Sequence, residues 1–576
     1  MMKDHVAFHR EQFGRWFEGF YRGVKKSRET GFRRYWVSPM TDFEDFTCIP
    51  HYAYYLVMGY YLDGTPYTGK EELLTLADEV LSAYEEHIHE DGSVDLIVTN
   101  FHDPSQSGFV TRLALVAAAF IARYTHHTEA EDRLFAHYLT VMKRHGEAML
   151  TLGFHTPNHR WVISSALAML YDLTGDKRYR DYIDGFLSEG IDCDENGEYT
   201  ERSAGMYNIT CDLSFILMAI FLHDPSYYEY VSRNLKLVYS FMEPDGKICT
   251  LNSIRQDRSM SIDADNYYPY YLYMGLIDRN PEFAYTADNM MTKFESQAVM
   301  GHIPVNMDVL QLYLLNPEVF DRMKEIEPVA PPRDASVFLQ KSGIARIYKP
   351  ESNMTVTLVR QRHPVFLQLL CGHHMIQMRF AGAFFGDPHS QFRAQEIIRT
   401  EKGFALIADE AAGYRSQFDT PPETSEWRQM DHSKRHIINV QHFRTRIDVE
   451  VLSDGVNVEA TADGCEGIQT KWELVMDPGG RLDTDGLVTI CRPGDYLVLK
   501  EGSALYTFGD NNSFAISGGS YRHLYTKDMR GSAPADDKNV TVCMTGETPW
   551  HHRVEIRVGH NVYLDKRRKE TFESGK

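Results

Sequence analysis

The 576-residue sequence predicts an N-terminal (α/α) toroid followed by an antiparallel β-sandwich, which makes it a multidomain α + β protein. Three observations predict this fold class. Apolar residues recur at helical spacing from about residue 65 to 320, and short polar breaks interrupt that pattern at regular intervals. A proline-rich segment follows, after which the pattern changes to short runs that alternate apolar and polar residues.

The N-terminal half is predicted to consist of helix pairs. Runs such as EELLTLADEVLSAYEEH and TRLALVAAAFIARY are helical in period, and Asp/Gly/Pro breaks recur near residues 60, 120, 170, 220 and 275. A period of about 50 to 60 residues fits one helix pair per repeat, which closes into a toroid or stacks as a solenoid. The long aromatic segment 91–109 favours the toroid, because such loops can line a cleft at one rim. Residues 1–60 either wrap the toroid or supply its first hairpin.

The segment EIEPVAPPRDAS at 325–336 contains three prolines and predicts a linker. We therefore expect a toroid domain over 1–324 and a β-sandwich domain over 337–576. Runs such as SGIARIYK, NMTVTLVRQ and TRIDVEVLSDGVNVEATA have a period of two and occur with Gly, Asp and Asn turns. Strands at this density without intervening helices indicate an antiparallel sandwich.

Composition and charge limit the classes of function. The formal net charge of −21 argues against nucleic acid or an anionic membrane surface as a partner, and an acidic substrate would need a local basic cleft. No apolar run approaches the roughly 20 residues of a membrane-spanning helix, and the N-terminus lacks a secretory signal, so we expect a cytoplasmic protein. Eight widely spaced cysteines without a CxxC pair predict reduced thiols.

The strongest candidate site begins with the segment T-P-N-H-R at 156–160. Thr156 can cap a helix whose first turn contains Pro157, which puts Asn158, His159 and Arg160 at the exposed N-terminal end. Helix N-termini attract anions through their free N–H groups and positive dipole, so a substrate carboxylate could dock there. The alternative is that Asn158 and His159 are capping or rim residues.

A second candidate segment is the turn ENGEYTE, which precedes a helix containing Tyr207. A free tyrosine has a pKa of about 10, so it acts as acid or base only beside groups that stabilise the phenolate. Arg202 and His159 could provide that stabilisation. The alternative is that Tyr207 packs in the core.

These segments together resemble the heparinase II/III-like polysaccharide lyases and the related alginate and oligoalginate lyases. The likeness lies in the pairing of Asn158-His159 with a later stretch that contains Asn196-Gly197, Glu201, Ser203 and Tyr207. The run KWELVMDPGG at 471–480 is also similar to the sandwich of that family. The resemblance extends over roughly residues 65 to 560 and implies a toroid, a sandwich and β-elimination on a uronic-acid glycan.

The family mechanism implies roles for particular residues. Asn158 and His159, with Arg160, would neutralise the uronate carboxylate so that it can accept charge, and Tyr207 would act as base, acid or both. A further histidine from the sandwich would complete the site, with His374 preferred over His373. Neighbouring residues of a strand face opposite sides, so at least one of this pair is expected to be an ordinary surface residue.

Further residues are predicted to contact the substrate. The rim loop 99–109 carries three of them, since loop residues often contact ligand, and cleft arginines would offset the negative net charge. The predicted substrate-binding residues are Asn100, His102, Gln106, Arg160, Tyr199, Arg202, Arg255 and His373, with Arg258 as a further candidate.

No cofactor is predicted to be required. The sequence has no P-loop, no strand-linked GxGxxG and no G-x-S-x-G elbow. Some relatives hold a zinc ion in the sandwich, and Asp387, His389 and His374 could converge, but their spacing matches no strong metal motif. We therefore predict no metal, with a structural zinc in the sandwich as a minor alternative.

Two other functions remain open at this point. Toroids also host glycoside hydrolases that use paired carboxylates, and Asp194, Glu195, Glu198 and Glu201 form an acidic cluster beside the candidate site. A non-catalytic glycan-binding protein is the second alternative. An acidic oligosaccharide or polysaccharide is the expected partner, and a cytoplasmic location would favour imported oligosaccharides over intact polymer.

Overall fold

A computed structural model describes residues 2–32, 43–153, 156–332, 336–360, 363–510 and 512–560. These residues form two compact units. The first contains residues up to 241 together with 248–332, and the second contains 242–247 together with the residues from 336 onward. Residues 333–335 of the predicted linker and 561–576 of the predicted sandwich domain lie outside the described residues.

The first unit is helical. Four short strands lie among its helices or at its border with the second unit: β1 Val94–Leu96, β2 Asn100–Asp103, β3 Lys247–Ile248 and β4 Ile262–Asp263. The helices in the described part of the chain are α1 His5–Ser27, α2 Ile49–Tyr61, α3 Glu71–Glu85, α4 Pro104–Ala122, α5 Glu129–Thr151, α6 Pro157–Thr174, α7 Lys177–Ser188, α8 Tyr207–Phe221, α9 Tyr228–Phe241, α10 Tyr268–Ile277, α11 Pro281–Val299, α12 Met307–Leu315 and α13 Pro317–Phe320.

The helices pair as the sequence predicts. The inner helices α2, α4, α6, α8 and α10 each pack against the outer helix that follows, and each of the five predicted breaks falls inside such a pair. The ring closes because α12 packs on α4 and α10, while α1 packs on α12 and α2. Residues 1–60 therefore supply α1 and the first inner helix, and the predicted toroid is confirmed.

Burial explains which helices form the inner ring. Helix α10, with the sequence YPYYLYMGLI, is buried over almost its whole length, whereas outer helices such as α7 bury one face only. Helix α4 is long and apolar enough to cross a membrane, but 72% of its apolar window is buried inside the protein. An inner toroid helix needs the same composition, because helices surround it on most sides.

The second unit is a sandwich of two sheets, and the predicted antiparallel architecture is confirmed. One sheet has the strand order β17-β20-β14-β9-β8-β7-β6-β5, and the other β10-β11-β12-β13-β21-β19-β18-β15-β16. The strands are β5 Val337–Leu339, β6 Ile344–Lys349, β7 Met354–Val359, β8 Val365–Cys371, β9 His374–Gly382, β10 Glu396–Arg399, β11 Gly403–Arg415, β12 Ile437–Val451, β13 Gly455–Gly464, β14 Gln469–Met476, β15 Arg481–Asp483, β16 Val488–Ile490, β17 Tyr496–Val498, β18 Ser503–Thr507, β19 Asn512–Ser517, β20 Val540–Glu547 and β21 Trp550–His560.

Apolar side chains from both sheets meet in one core, in which Trp472 packs between Phe366 and Phe380. One strand departs from the predicted pattern, because β17 pairs parallel with β20 while the other strand pairs are antiparallel. All eight cysteines are free thiols, as predicted, and six of them are buried.

The segment 242–247, which follows α9, belongs to the second unit. Within that unit Glu243 forms an ion pair of 2.8 Å with Arg346, and both side chains are almost completely buried. The same guanidinium donates to Thr357 Oγ1 at 2.7 Å. A buried pair of this kind is satisfied only while both partners are present.

Candidate active site

The first turn of α6 carries the predicted Asn-His pair. The helix begins at Pro157, as predicted, but the Thr156 side chain does not cap a backbone N–H. Instead it accepts a hydrogen bond from Asn158 Nδ2 at 3.2 Å. The free N–H of Asn158 donates to Glu201 Oε2 at 3.3 Å, and its side-chain Nδ2 donates to the same oxygen at 2.7 Å. A carboxylate of the protein itself thus satisfies the helix N-terminus where a substrate carboxylate was expected to dock.

Glu201 joins this helix end to a positive charge. Its Oε1 lies 3.1 Å from Arg255 Nη1, and its side chain is buried while that of Arg255 is partly exposed. Burial raises the pKa of the Glu201 carboxyl, although the hydrogen bonds from Asn158 and the charge of Arg255 oppose that change. Asn158 Oδ1 is buried and accepts no hydrogen bond from the described residues.

Tyr207 is the first residue of α8. Its backbone N–H donates to Ser203 Oγ at 3.1 Å, and its hydroxyl donates to Gln256 Oε1 at 3.2 Å. The Arg255 guanidinium lies 4.8 Å from the centre of the Tyr207 ring. Arg255 therefore links Tyr207 to Glu201, and through Glu201 to Asn158, so that residues from three separate segments form one cluster.

The loop 249–260 holds this cluster in place. Asn252 Nδ2 donates to Glu198 Oε1 at 2.6 Å, and the Ile254 N–H donates to the Glu201 carbonyl at 3.3 Å. The Asp257 carboxylate accepts from the Gly205 N–H at 2.9 Å. A Cβ at Gly205 would lie only 2.8 Å from that carboxylate, so the close approach of the two loops requires glycine.

His159 lies next to a cavity of the helical unit. Its ring packs edge-on against Phe109 at 5.9 Å between ring centres, and Phe109 lines a cavity of about 420 Å³. The wall combines apolar residues of α4 and α8 with polar side chains, which are Thr47, His51, Gln106, Arg112, Asp308 and Gln311. Such a mixture of apolar walls and a few convergent polar groups is typical of small-molecule sites.

The cavity contains ionisable groups of both signs. Arg112 Nη1 donates to Ser214 Oγ at 2.9 Å, and Asp308 Oδ2 accepts from the Tyr270 hydroxyl at 3.4 Å. Burial raises the pKa of Asp308 and lowers the pKa of Arg112 and of His51. Arg112 and Asp308 can exchange these hydrogen bonds for hydrogen bonds to a polar ligand.

Three predicted substrate contacts are engaged elsewhere. Tyr199, which was predicted to contact substrate, is buried, and its hydroxyl donates to Asp212 at 2.9 Å, so the structure places it among the core residues. Arg160 pairs with Glu189 at 3.0 Å and with Asp192 at 3.3 Å.

Arg202 lies 4.0 Å from Glu198, and the Arg255 guanidinium lies over the Tyr207 ring. Arg255, which was also predicted to contact substrate, is the arginine that belongs to the cluster. Arg258 donates to the Ser253 carbonyl at 2.6 Å and so helps to fold the loop 249–260.

The predicted rim loop 99–109 contains a strand and the start of a helix. Residues 100–103 form β2, and α4 begins at Pro104, because the Asp103 side chain caps the Ser105 and Gln106 N–H groups. Asn100 donates to Asp103 Oδ2 at 2.7 Å, and His102 bonds to Asp91 at 2.6 Å. Of the three predicted contacts in this segment, Gln106 lines the cavity.

His373 and His374 belong to the second unit. Their Nε2 atoms lie 3.7 Å and 3.0 Å from Asp510 Oδ2, and the His374 ring stacks on Phe508 at 3.6 Å between ring centres. The two other residues considered for a metal do not join them. Asp387 contacts Arg393, and His389 bonds to Glu410.

The acidic cluster considered for hydrolysis is used for structural contacts. Asp194 accepts from the N–H groups of Asn196 and Glu198 in a turn, and Glu198 accepts from Asn252. Glu201 is held by Asn158 and Arg255, and Glu195 is exposed. Three of these four carboxyl groups are therefore held by partners within the protein.

Sequence reasoning missed several residues of the site. Glu201 was named in the family pattern and in the acidic cluster, but its contact with Asn158 was not foreseen. Gln256 follows Arg255 directly, and no pattern singled it out. Arg112 and Asp308 lie on apolar helical stretches, where an isolated charge signals a buried polar contact or a cavity.

Comparisons with known proteins agree with this architecture. No protein-family model and no curated protein matches the sequence. A heparinase III has a TM-score of 0.52 and 9% identity, over 93% of this chain and 84% of its own. A mutant of the heparan sulfate lyase HepC from Pedobacter heparinus has a TM-score of 0.50 and 10% identity, over 91% of this chain and 79% of its own. The chain therefore has the fold of these lyases, as the sequence resemblance implied.

Proposed function

We propose that the chain is a lyase that cleaves a uronic-acid-containing oligosaccharide or polysaccharide by β-elimination. The observation that carries the proposal is the contact series from Asn158 through Glu201 and Arg255 to Tyr207. It combines amide groups and a cation, which can neutralise a carboxylate, with a tyrosine that can move a proton. The fold shared with two glycosaminoglycan lyases supports the same reading.

The first requirement is to neutralise the substrate carboxylate, because only then does the neighbouring C5 proton become acidic enough to remove. The Asn158 amide and the His159 ring lie at the N-terminal end of α6, and Arg255 supplies a positive charge. Burial raises the pKa of the Glu201 carboxyl, which lies between Asn158 and Arg255.

The second requirement is a base for the C5 proton. Tyr207 as a phenolate takes this proton, the C5–H electron pair forms the C4=C5 double bond, and the C4–O bond breaks. The Arg255 cation over the ring stabilises the negative charge that the phenolate carries. The leaving oxygen then takes a proton, which the newly formed Tyr207 phenol supplies if both transfers occur on one face of the sugar.

The cavity lined by Gln106, Arg112 and Asp308 provides room for a neighbouring sugar, since Phe109 connects it to His159. Arg112 would bind an anionic group of that sugar. A binding region of about 420 Å³ suits a short chain end. We therefore propose oligosaccharides as the substrate, in keeping with the cytoplasmic location expected from the sequence.

The experiment measures new ultraviolet absorbance during incubation with a panel of uronate-containing oligosaccharides. Elimination leaves a conjugated unsaturated uronate that absorbs, whereas hydrolysis leaves none. Wild type should produce absorbance, and Tyr207→Phe should abolish it. The matched control is Tyr285→Phe, because Tyr285 is an exposed tyrosine of the same helical unit. Release of reducing ends without absorbance, or full activity of Tyr207→Phe, would overturn the proposal.

A further inference from the structure

The β-sandwich unit carries a two-stranded arm that the proposed lyase reaction does not use. The pairing of β10 with β11 ends at Ile407, and the pairing of β12 with β13 ends at Phe443. Beyond these residues the strand segments 408–415 and 437–442 pair only with each other within the described part of the chain, and the loop 416–436 joins them. We propose that this arm, residues 408–442, is the surface through which two copies of the chain form a dimer.

The arm exposes large apolar side chains on both of its faces. Tyr414 lies opposite Ile438, and Arg415 lies opposite Ile437. Because successive strand residues point to opposite faces, Ile437 and Ile438 lie on different faces of the ribbon. The Phe385 ring, from the loop after β9, contacts the Tyr414 ring at 5.2 Å between ring centres. The apolar side chains of this surface are 39–60% exposed and are Phe385, Tyr414, Trp427, Ile437, Ile438 and Val440.

A ribbon with this surface needs a partner. A two-stranded hairpin alone is only marginally stable in water. Natural edge strands usually carry charged residues or proline, which prevent pairing with other chains. The segment 437–442, with the sequence IINVQH, contains no proline and none of Asp, Glu, Lys and Arg. An apolar surface gathered in this way on one element is typical of a protein–protein interface.

The loop at the tip is folded back on the ribbon. Arg415 donates to the His432 carbonyl at 2.8 Å, and Arg435 donates to the Arg415 carbonyl at 3.0 Å. The Trp427 and His432 rings lie 4.3 Å apart between centres, and the Arg435 guanidinium lies 5.5 Å from the centre of the Trp427 ring. The arm therefore presents a defined surface before it binds, and association requires little additional ordering of the loop.

Charge favours a second copy as the partner. The net charge of −21 makes two copies repel each other at long range. The segment 413–440 departs from this excess, because its four acidic residues are balanced by four basic ones. They are Asp419, Glu423, Glu426 and Asp431 against Arg415, Arg428, Lys434 and Arg435. Two copies can therefore approach through this segment without net repulsion.

The order of these charges suits a two-fold axis. Glu423 and Glu426 are exposed and precede Arg428 and Lys434, which are exposed as well. A two-fold axis brings the same patch of both copies together in opposite directions. Glu423 and Glu426 of one copy then face Arg428 and Lys434 of the other, while the apolar side chains of the two ribbons pack against each other.

Sedimentation velocity of the full-length chain tests the proposal. Wild type should sediment as a dimer at micromolar concentration. Ile437→Ser/Ile438→Ser should raise the dissociation constant by about 100-fold or more, because each isoleucine that becomes buried contributes about 10-fold or more. Both residues are exposed in the single chain, so the melting temperature of the monomer should not change.

The matched control is Ile490→Ser, because Ile490 is a strand residue of the same unit with 60% exposure. This variant should dimerise as wild type does. Lyase activity does not enter the measurement, so the result is independent of the proposed function.

Charge reversal distinguishes a second copy from any other partner. Glu423→Lys/Glu426→Lys makes the four facing positions basic, and Arg428→Glu/Lys434→Glu makes them acidic. Each variant alone should dimerise at least 10-fold more weakly than wild type, because like charges then face each other. An equimolar mixture of the two variants should form a heterodimer at least as tight as the wild-type dimer.

Three results would overturn the proposal. They are a wild type that stays monomeric at micromolar concentration, a dimer that Ile437→Ser/Ile438→Ser leaves unchanged, and a mixture of the two charge variants that does not associate. A monomeric wild type that binds vesicles of zwitterionic lipid, with binding lost in Ile437→Ser/Ile438→Ser, would assign the arm to a membrane surface instead.

Discussion

Replacing Arg255 by methionine tests the cluster at its central residue. Arg255 forms a 3.1 Å ion pair with Glu201 and lies 4.8 Å from the Tyr207 ring centre. At an effective dielectric constant of 20 the gross attraction of the pair is about 5 kcal/mol. The cost of desolvating Glu201 offsets part of this, which leaves a net contribution of about 1.5–3 kcal/mol. Contact with the ring adds about 0.5–1 kcal/mol.

We therefore expect Arg255→Met to lower the free energy of unfolding by about 2–4 kcal/mol, because it leaves a buried Glu201 carboxyl without its cation. The double variant Glu201→Gln/Arg255→Met should recover most of this loss, since no buried charge then remains. Activity should not recover. Both variants should lose about 100-fold or more in kcat/KM, because the cation beside the phenolate is gone.

Urea denaturation followed by circular dichroism measures the stability, and the absorbance of the unsaturated product measures the rate. Arg178→Met is the matched control, since Arg178 also pairs with a glutamate and lies over a tyrosine ring, but on the surface of the same unit. It should leave stability and kcat/KM unchanged. Full activity of Arg255→Met, or a double variant as unstable as the single one, would refute the reasoning.

Three further predictions concern charge, pH and packing. Glu243→Gln should lower the free energy of unfolding by about 3–5 kcal/mol, because it leaves the buried Arg346 charge without its partner. Glu243→Leu/Arg346→Met should lower it much less; equal losses in urea denaturation would contradict this. Because burial raises the folded-state pKa of Glu201, the stability of wild type relative to that of Glu201→Gln should fall as pH rises from 4.5 through that pKa; parallel stability curves would contradict this. Gly205→Ala should lower the free energy of unfolding by about 1–3 kcal/mol and reduce activity, since a methyl group there meets side chains of residues 249–262. Gly185→Ala should lower neither stability nor activity, because the space around Gly185 is open.

The fold was largely predictable because its signals are local. The helical period and the five polar breaks appear in the sequence itself, and each break falls between paired helices. The first residues of α4 fall in the predicted rim loop 99–109, although Asp103-Pro104 is a strong signal for the start of a helix. The aromatic residues around this pair favour a loop in the sequence analysis. The parallel pairing of β17 with β20 depends on contacts distant in sequence, and no local pattern specifies it.

The site was less predictable because its contacts join distant segments. The Asn158 and Tyr207 pairing came from resemblance alone, while the residues that link them, Glu201 and Arg255, lie on two other loops. A single sequence does not specify which loops meet. The burial of Tyr199 against Asp212 was not predictable for the same reason, since it arises from tertiary packing.

The central claim is that bond cleavage proceeds by elimination and does not consume water. Mass spectrometry of products formed in ¹⁸O-labelled water tests it most directly. Elimination predicts that the masses of the two products sum to the mass of the substrate and that neither product gains ¹⁸O at the moment of cleavage. Products that together exceed the substrate by one water, with ¹⁸O at the new reducing end, would contradict it.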